Sequence, residues 1–252
     1  MLKLGSALKG YAIDASDGEI GTVADFLFDD RTWLARWLVV DTGTWLTGRK
    51  VLLHPVAIGK ADHERRRLPV ALTKAQVQGS PELSAHEPVS KQSERHLYDY
   101  YGWEPISLES AFGAHPISSR YSAPPLFVFG PEPKSPASAS DGGDPNLRSY
   151  LAVSGYHILA SDGAIGKLLD MLIDDASWGF RYLVIDTGSW WPGKQVLISP
   201  HAVREISWAD RQIRLDVSRD RVRKSPPWPE GRLDQAYERD LHDHYDWPVS
   251  RP

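Results

Sequence analysis

The sequence predicts a mainly β protein: two small β-barrels in tandem, each with a short C-terminal helix, related by a pseudo-twofold axis. Three observations lead there. Residues 10–55 align with residues 155–200 at a constant shift of 145 without a gap, and 25 of the 46 pairs are identical, which decides for duplication over chance. Each copy is a series of short alternating runs, rich in β-branched and aromatic residues and punctuated by turn residues. Five such strands cannot leave both sheet edges open without inviting aggregation, and curling into a barrel removes the edges.

The elements follow in order. Tyr11-Ala12-Ile13-Asp14-Ala15 alternates, and Ser16-Asp17-Gly18-Glu19 supplies the Asp-Gly turn of a hairpin. Ile20 to Phe28 forms the next strand, with Ile20, Val23, Phe26 and Phe28 directed to the core, and its twin runs from Ile165 to Ile173. Asp29-Asp30-Arg31-Thr32 turns the chain into a third strand from Arg36 to Asp41, repeated from Arg181 to Asp186. Gly43 to Gly48 is a loop, followed by a fourth strand, Lys50-Val51-Leu52-Leu53. A charged turn at Asp62-His63-Glu64 leads into Leu68 to Leu72, and Trp208-Ala209-Asp210 leads into Gln212 to Val217. Thr73 and Ser218 each start a single helical turn through a hydroxyl cap. Longer helices are expected from Ser90 to Tyr100 and from Leu233 to His244. Both run into aromatic tails that end at Trp103 and Trp247.

Residues 1–112 therefore form the first domain with its helical tail, and residues 149–252 the second. Residues 113–148 hold 7 Pro, 4 Gly and 6 Ser, a composition that disfavours regular structure and reads as a linker. It contains one apolar run, Leu126-Phe127-Val128-Phe129. Two roles stay open for it: packing on a domain of its own chain, or extended addition to the sheet edge of a partner.

Composition excludes several classes. The formal charge is −4, from 29 Lys and Arg against 33 Asp and Glu, without the basic surplus of a dedicated nucleic-acid binder. The chain has no cysteine, hence no disulfide, thiolate metal site or cysteine nucleophile. No apolar run reaches the roughly 18–20 residues that span a bilayer. The start, Met1-Leu2-Lys3-Leu4-Gly5-Ser6, lacks the apolar core of a signal peptide, so a cytoplasmic protein without an integral membrane segment is expected.

At Gly18-Glu19-Ile20-Gly21, Gly163-Ala164-Ile165-Gly166, Arg36 to Gly43, Lys50 to Pro55 and the Ser-Pro exits Ser80-Pro81 and Ser225-Pro226, the sequence resembles the PRC-barrel family. That family includes the cytoplasmic part of the photosynthetic reaction-centre H subunit and the ribosome maturation factor. The resemblance implies small barrels used for protein contacts, without a shared catalytic centre. Neither the membrane helix of the first relative nor the separate N-terminal barrel of the second is expected here.

The candidate sites are then weighed. Asp29-Asp30 and Asp174-Asp175 lack the alternating acids and central glycine of a calcium loop, and favour turns through bonds to the backbone. Asp41 and Asp186 precede Thr-Gly and read as turn caps. His54 becomes Ser199 in the second copy, so a dyad built on it would exist in one half only. His242 and His244 are two apart, which on a helix does not place both on one face. No cofactor, metal ligand or catalytic residue is assigned. Trp33, Trp45, Trp178 and Trp190 recur at matching positions and read as structural inside each barrel. The unmatched Trp191, Trp208 and Trp228, with Phe127, Phe129, Tyr101, Trp103, Tyr245 and Trp247, are the candidates for protein contact, because aromatic residues are enriched at interfaces. The basic residues at 65–67 and 219–224 are interleaved with acids, so nucleic acid is not favoured.

The leading expectation is a non-catalytic adaptor or scaffold with an unknown protein partner, peripheral to a membrane or electron-transfer complex. Its two repeats pair within the chain, and self-association into a homo-oligomer stays open. The alternative is an RNA- or ribosome-associated assembly factor, and the third is a hydrolase or metal-dependent enzyme with a cleft between the repeats.

Overall fold

The structure, a computed structural model, describes residues 1–46, 48–81, 91–103, 144–188, 194–228 and 233–247. The first half contains β1 (Leu2–Leu4), α1 (Gly5–Leu8), β2 (Ala12–Ala15), β3 (Gly18–Asp29), β4 (Ala35–Asp41), β5 (Lys50–Leu53), β6 (Arg67–Pro69), α2 (Lys74–Gln78) and α3 (Lys91–Tyr101). The second contains β7 (Leu147–Ser149), α4 (Tyr150–Val153), β8 (His157–Ala160), β9 (Gly163–Asp174), β10 (Phe180–Asp186), β11 (Gln195–Ile198), β12 (Val203–Ser207), β13 (Gln212–Leu215), α5 (Arg219–Arg223) and α6 (Gln235–Tyr245). Thr73 and Ser218 cap α2 and α5 through their hydroxyls, as their sequence positions indicate.

The protein is mainly β, with two mixed sheets and few helices. One sheet runs β5-β4-β3-β2-β6 and the other β11-β10-β9-β8-β13-β12. Both are antiparallel except at β2–β6 and β8–β13, which are parallel. The core face is the expected one: Ile20, Val23, Phe26 and Phe28 are all buried. The expectation of closed barrels is corrected, since among the described residues neither sheet closes by hydrogen bonding. In the second half the two ends of the strand path, β11 and β12, are joined by a single 3-10 turn at Pro200–Ala202. The sheet curls until its ends meet at a corner of the chain, where a turn replaces the missing ladder. In the first half β6 has only three residues and includes Pro69, which has no N–H to donate.

The long strands explain a feature of the fold absent from the sequence reading. β3 has twelve residues and its hairpin partner β2 only four, so the C-terminal part of β3 would keep an open edge. That edge is filled from the other half: β7 pairs antiparallel with Leu27, Phe28 and Asp29. Reciprocally, β1 pairs with Leu172, Ile173 and Asp174 of β9, in the equivalent register. The stretch assigned to a linker is thus folded at its end. Asp144 is buried and accepts from Arg36 at 2.7 Å, and Leu147 and Arg148 lie in β7. Residues 113–143, with Leu126-Phe127-Val128-Phe129, lie outside the described residues.

A second set of reciprocal bonds joins the halves at the β3–β4 and β9–β10 turns. Ala35 donates its N–H to the Trp178 carbonyl and Phe180 donates to the Trp33 carbonyl, both at 2.8 Å. Trp33 and Trp178 hold left-handed backbone, at φ 58° and 57°, which bulky residues rarely adopt. Their indoles are buried in a shared aromatic cluster: Phe28 stacks on Trp33 at 5.4 Å and meets Phe180 edge-on at 5.1 Å. Phe26 lies 6.0 Å from Tyr150 and 6.3 Å from Trp178. Trp33 and Trp178 are structural, but they sit between the halves and not inside each barrel as the repeat suggested, and Trp190 lies outside the described residues. One buried core runs through both.

Candidate interaction surfaces

Each half carries a helix on the outer face of its sheet. In α3, Leu97 and Tyr98 pack on Trp37 and Leu52, forming an apolar layer separate from the main core. Trp37 is fully buried, and its indole N–H donates to Glu94 at 2.7 Å. Burial pushes the Glu94 carboxyl above its ordinary range, although Trp37 and Arg36 pull the other way. Burial alone would lower Arg36, but Glu94, Asp144 and Asp29 around it outweigh that and hold it above its usual value.

The second half repeats the layout with different chemistry. Tyr182 replaces Trp37 and lies 3.0 Å from Glu238 and 2.8 Å from His242 Nε2. A carboxylate only accepts, so the phenol donates to Glu238 and receives the imidazole N–H. Burial, with Glu238 beside it, drives the Tyr182 hydroxyl well above the ordinary tyrosine value.

The aromatic tails complete both helices. Tyr101 stacks on Trp103 at 4.2 Å, and Tyr245 on Trp247 at 4.1 Å. Burial pushes Tyr98 and Tyr245 up to about 12 each. Four of the residues selected for protein contact, Tyr101, Trp103, Tyr245 and Trp247, are therefore placed against their own sheets. Tyr245 is buried and the other three are half-buried.

His54, His242 and His244 each have a different partner. His54 is buried, and its Nδ1 accepts the Val56 N–H at 3.2 Å as an N-cap. Burial, with a smaller effect from Arg36, lowers it to about 4. Trp37, Tyr98 and Trp103 surround its ring at 5.4–5.7 Å. His242 faces Tyr182, whereas His244 Nε2 faces the Arg221 carbonyl at 2.8 Å. Asp41 and Asp186 cap Gly43 and Gly188, each at 2.9 Å. No group of three or more acidic or histidine side chains able to hold a metal occurs among the described residues.

Trp208 stands apart from the other aromatic candidates among the described residues. It is 42% exposed, meets Tyr156 edge-on at 6.1 Å, and has the Arg148 guanidinium 5.2 Å from its ring. Arg148 also pairs with Asp30 of the first half at 2.5 Å. Trp228, by contrast, is buried, and its backbone N–H covers the β11 edge at Gln195. Trp191, Phe127 and Phe129 lie outside the described residues.

Sequence reasoning missed the residues that bind the halves together. Asp25 accepts the Ser149 hydroxyl at 2.6 Å and the Leu151 N–H at 3.1 Å. Its counterpart Asp170 accepts the Tyr150 hydroxyl at 2.6 Å and both the hydroxyl and N–H of Ser6. The signal was faint: Leu2-Lys3-Leu4 and Leu147-Arg148-Ser149 share the 145-residue shift, but only one of the three pairs is identical.

This arrangement of curled sheet, Gly-x-Ile-Gly hairpin and capped exit turn has a match among known families. A PRC-barrel domain is found at residues 4–77. The match runs from the end of β1 into α2 and so takes in the whole first sheet except the strand supplied by β7. No curated protein matches the chain. In the PRC-barrel domain, the second glycine of the hairpin motif, Gly21, sits against β4. In the second half Gly166 does the same against β10. No helix among the described residues is long and apolar enough to cross a membrane.

Proposed function

We propose that this protein is a non-catalytic interaction or assembly protein of the cytoplasm. Two PRC-type barrels, related by a pseudo-twofold axis, act as one rigid platform. The observation that carries the reading is the PRC-barrel domain at residues 4–77. The hydrogen bonds of Glu94, His54, Tyr182 and His242 serve packing and helix attachment, which supports the reading. Trp208 is the contact proposed for a protein partner: its indole is exposed and backed by Arg148, and such a residue is a ready anchor.

The test is affinity capture on the full-length chain followed by mass spectrometry, with Trp208→Ala as the paired bait. Proteins recovered by the wild type and lost with Trp208→Ala, at unchanged thermal stability, support the reading. Identical recovery by both baits, or recovery only of RNA that dissociates as salt rises, overturns it.

A further inference from the structure

Duplication would have produced two identical surfaces, and identical surfaces pair with like as readily as with unlike. Two positions lie where a residue meets its own counterpart across the seam. Gly5 faces Tyr150: a Cβ on Gly5 would stand 2.7 Å from the Tyr150 ring. Leu34 bridges to Gly179, where an added Cβ would stand 3.3 Å from the Leu34 side chain. Both pairs are related by the shift of 145 residues. Each joins a large residue to a glycine, and the large residue comes from opposite halves in the two cases. A third difference agrees, since Ala35 occupies the position equivalent to Phe180, whose ring fills the space beside Phe28 and Tyr150.

We propose that the seam is a heterotypic lock, in which Gly5/Tyr150 and Leu34/Gly179 fit first half to second half and reject pairing of like halves, so that each half takes the other half of its own chain and not a second copy. Pairing two first halves would set Leu34 against Leu34 and leave a hole between two Gly5 residues. Two second halves would set Tyr150 against Tyr150 and leave a hole at Gly179. Each wrong pairing carries one overpacked and one empty position, both of them destabilising. The inference rests on the paired-barrel reading above and adds its specificity.

The test is a double-mutant cycle on the full-length chain. Alanine normally stabilises a helix relative to glycine, so Gly5→Ala in α1 should help wherever space allows. In the wild-type background it is expected to lower the unfolding midpoint by roughly 5 °C, because the added methyl meets the Tyr150 ring. In a Tyr150→Leu background the same change is expected to be neutral or stabilising. Gly179→Ala is expected to be tolerated better in a Leu34→Ala chain than in the wild type. Light scattering is expected to give the mass of one chain up to high protein concentration. Effects of Gly5→Ala that are equal in both backgrounds, or a mass that doubles as concentration rises, would overturn the lock. Separation of the halves after a single cut between them would instead overturn the pairing itself.

Discussion

Gly21 lies so close to Asp41 that a Cβ built on it would stand 2.1 Å from the Asp41 carbonyl oxygen. Its φ of +147° adds a conformation that side chains avoid, and Gly166 approaches Asp186 in the same way, at 1.9 Å. Such an approach between β3 and β4 leaves room for hydrogen only. Gly21→Ala and Gly166→Ala are therefore each expected to cost about 3 kcal/mol or more in urea unfolding. Gly43→Ala is the control. Its φ is also positive, at +55°, but a Cβ there meets nothing within 4 Å, so its cost should stay near 1 kcal/mol.

Acid should weaken the first half through His54. Its folded value, lowered to about 4, lies below the ordinary 6.5, so the buried ring is neutral and resists protonation. The associated stability is complete above pH 6.5, declines as pH falls, and is fully lost below about pH 4. The total is about 3 kcal/mol. Asp25 and Glu94, both raised chiefly by burial, act in the opposite direction, adding stability as pH falls through their folded values. His54→Asn keeps a capping acceptor and removes the titration. The stability difference between wild type and His54→Asn should shift by that amount between pH 7 and pH 4, and an unchanged difference would refute the assignment.

Tyr182→Phe removes the hydroxyl that joins Glu238 and His242 without changing the ring. Losing two buried hydrogen bonds should cost about 1–3 kcal/mol. The effect should be local, with amide exchange in α6 accelerating by roughly tenfold or more while α3 keeps its protection. Uniform acceleration in both helices would show that Tyr182 supports the whole core and not the α6 attachment.

A single proteolytic cut introduced between residues 113 and 143 should leave the two halves together through gel filtration. β1 is held on β9 and β7 on β3, and the aromatic cluster at Phe26, Phe28, Trp178 and Phe180 draws on both halves. Immediate elution as two separate folded pieces would contradict the shared core.

Much of the fold was legible because it is local. The Asp17-Gly18 and Asp162-Gly163 turns, the alternation leading to Phe28, the caps at Thr73 and Ser218, and the helices ending near Tyr101 and Tyr245 all depend on neighbours a few residues away. Aromatic residues were a poorer guide. Trp208 and Trp228 look alike as unmatched tryptophans, yet one is 42% exposed and the other 8%, because burial depends on what else the chain folds over them.

The amino-acid sequence by itself determined that this protein is a duplicated, mainly β chain with matched hairpins and helical tails, since period, turn chemistry and repetition are written in consecutive residues. Only the tertiary structure decided that among the described residues neither sheet closes by hydrogen bonding, that Leu2–Leu4 and Leu147–Ser149 cross to the opposite half, and that Trp33 and Trp178 hold the seam. The physical reason is edge satisfaction. A twelve-residue strand beside a four-residue partner exposes unpaired amides and carbonyls, and which distant segment covers them depends on shape complementarity between surfaces that exist only after each half has folded.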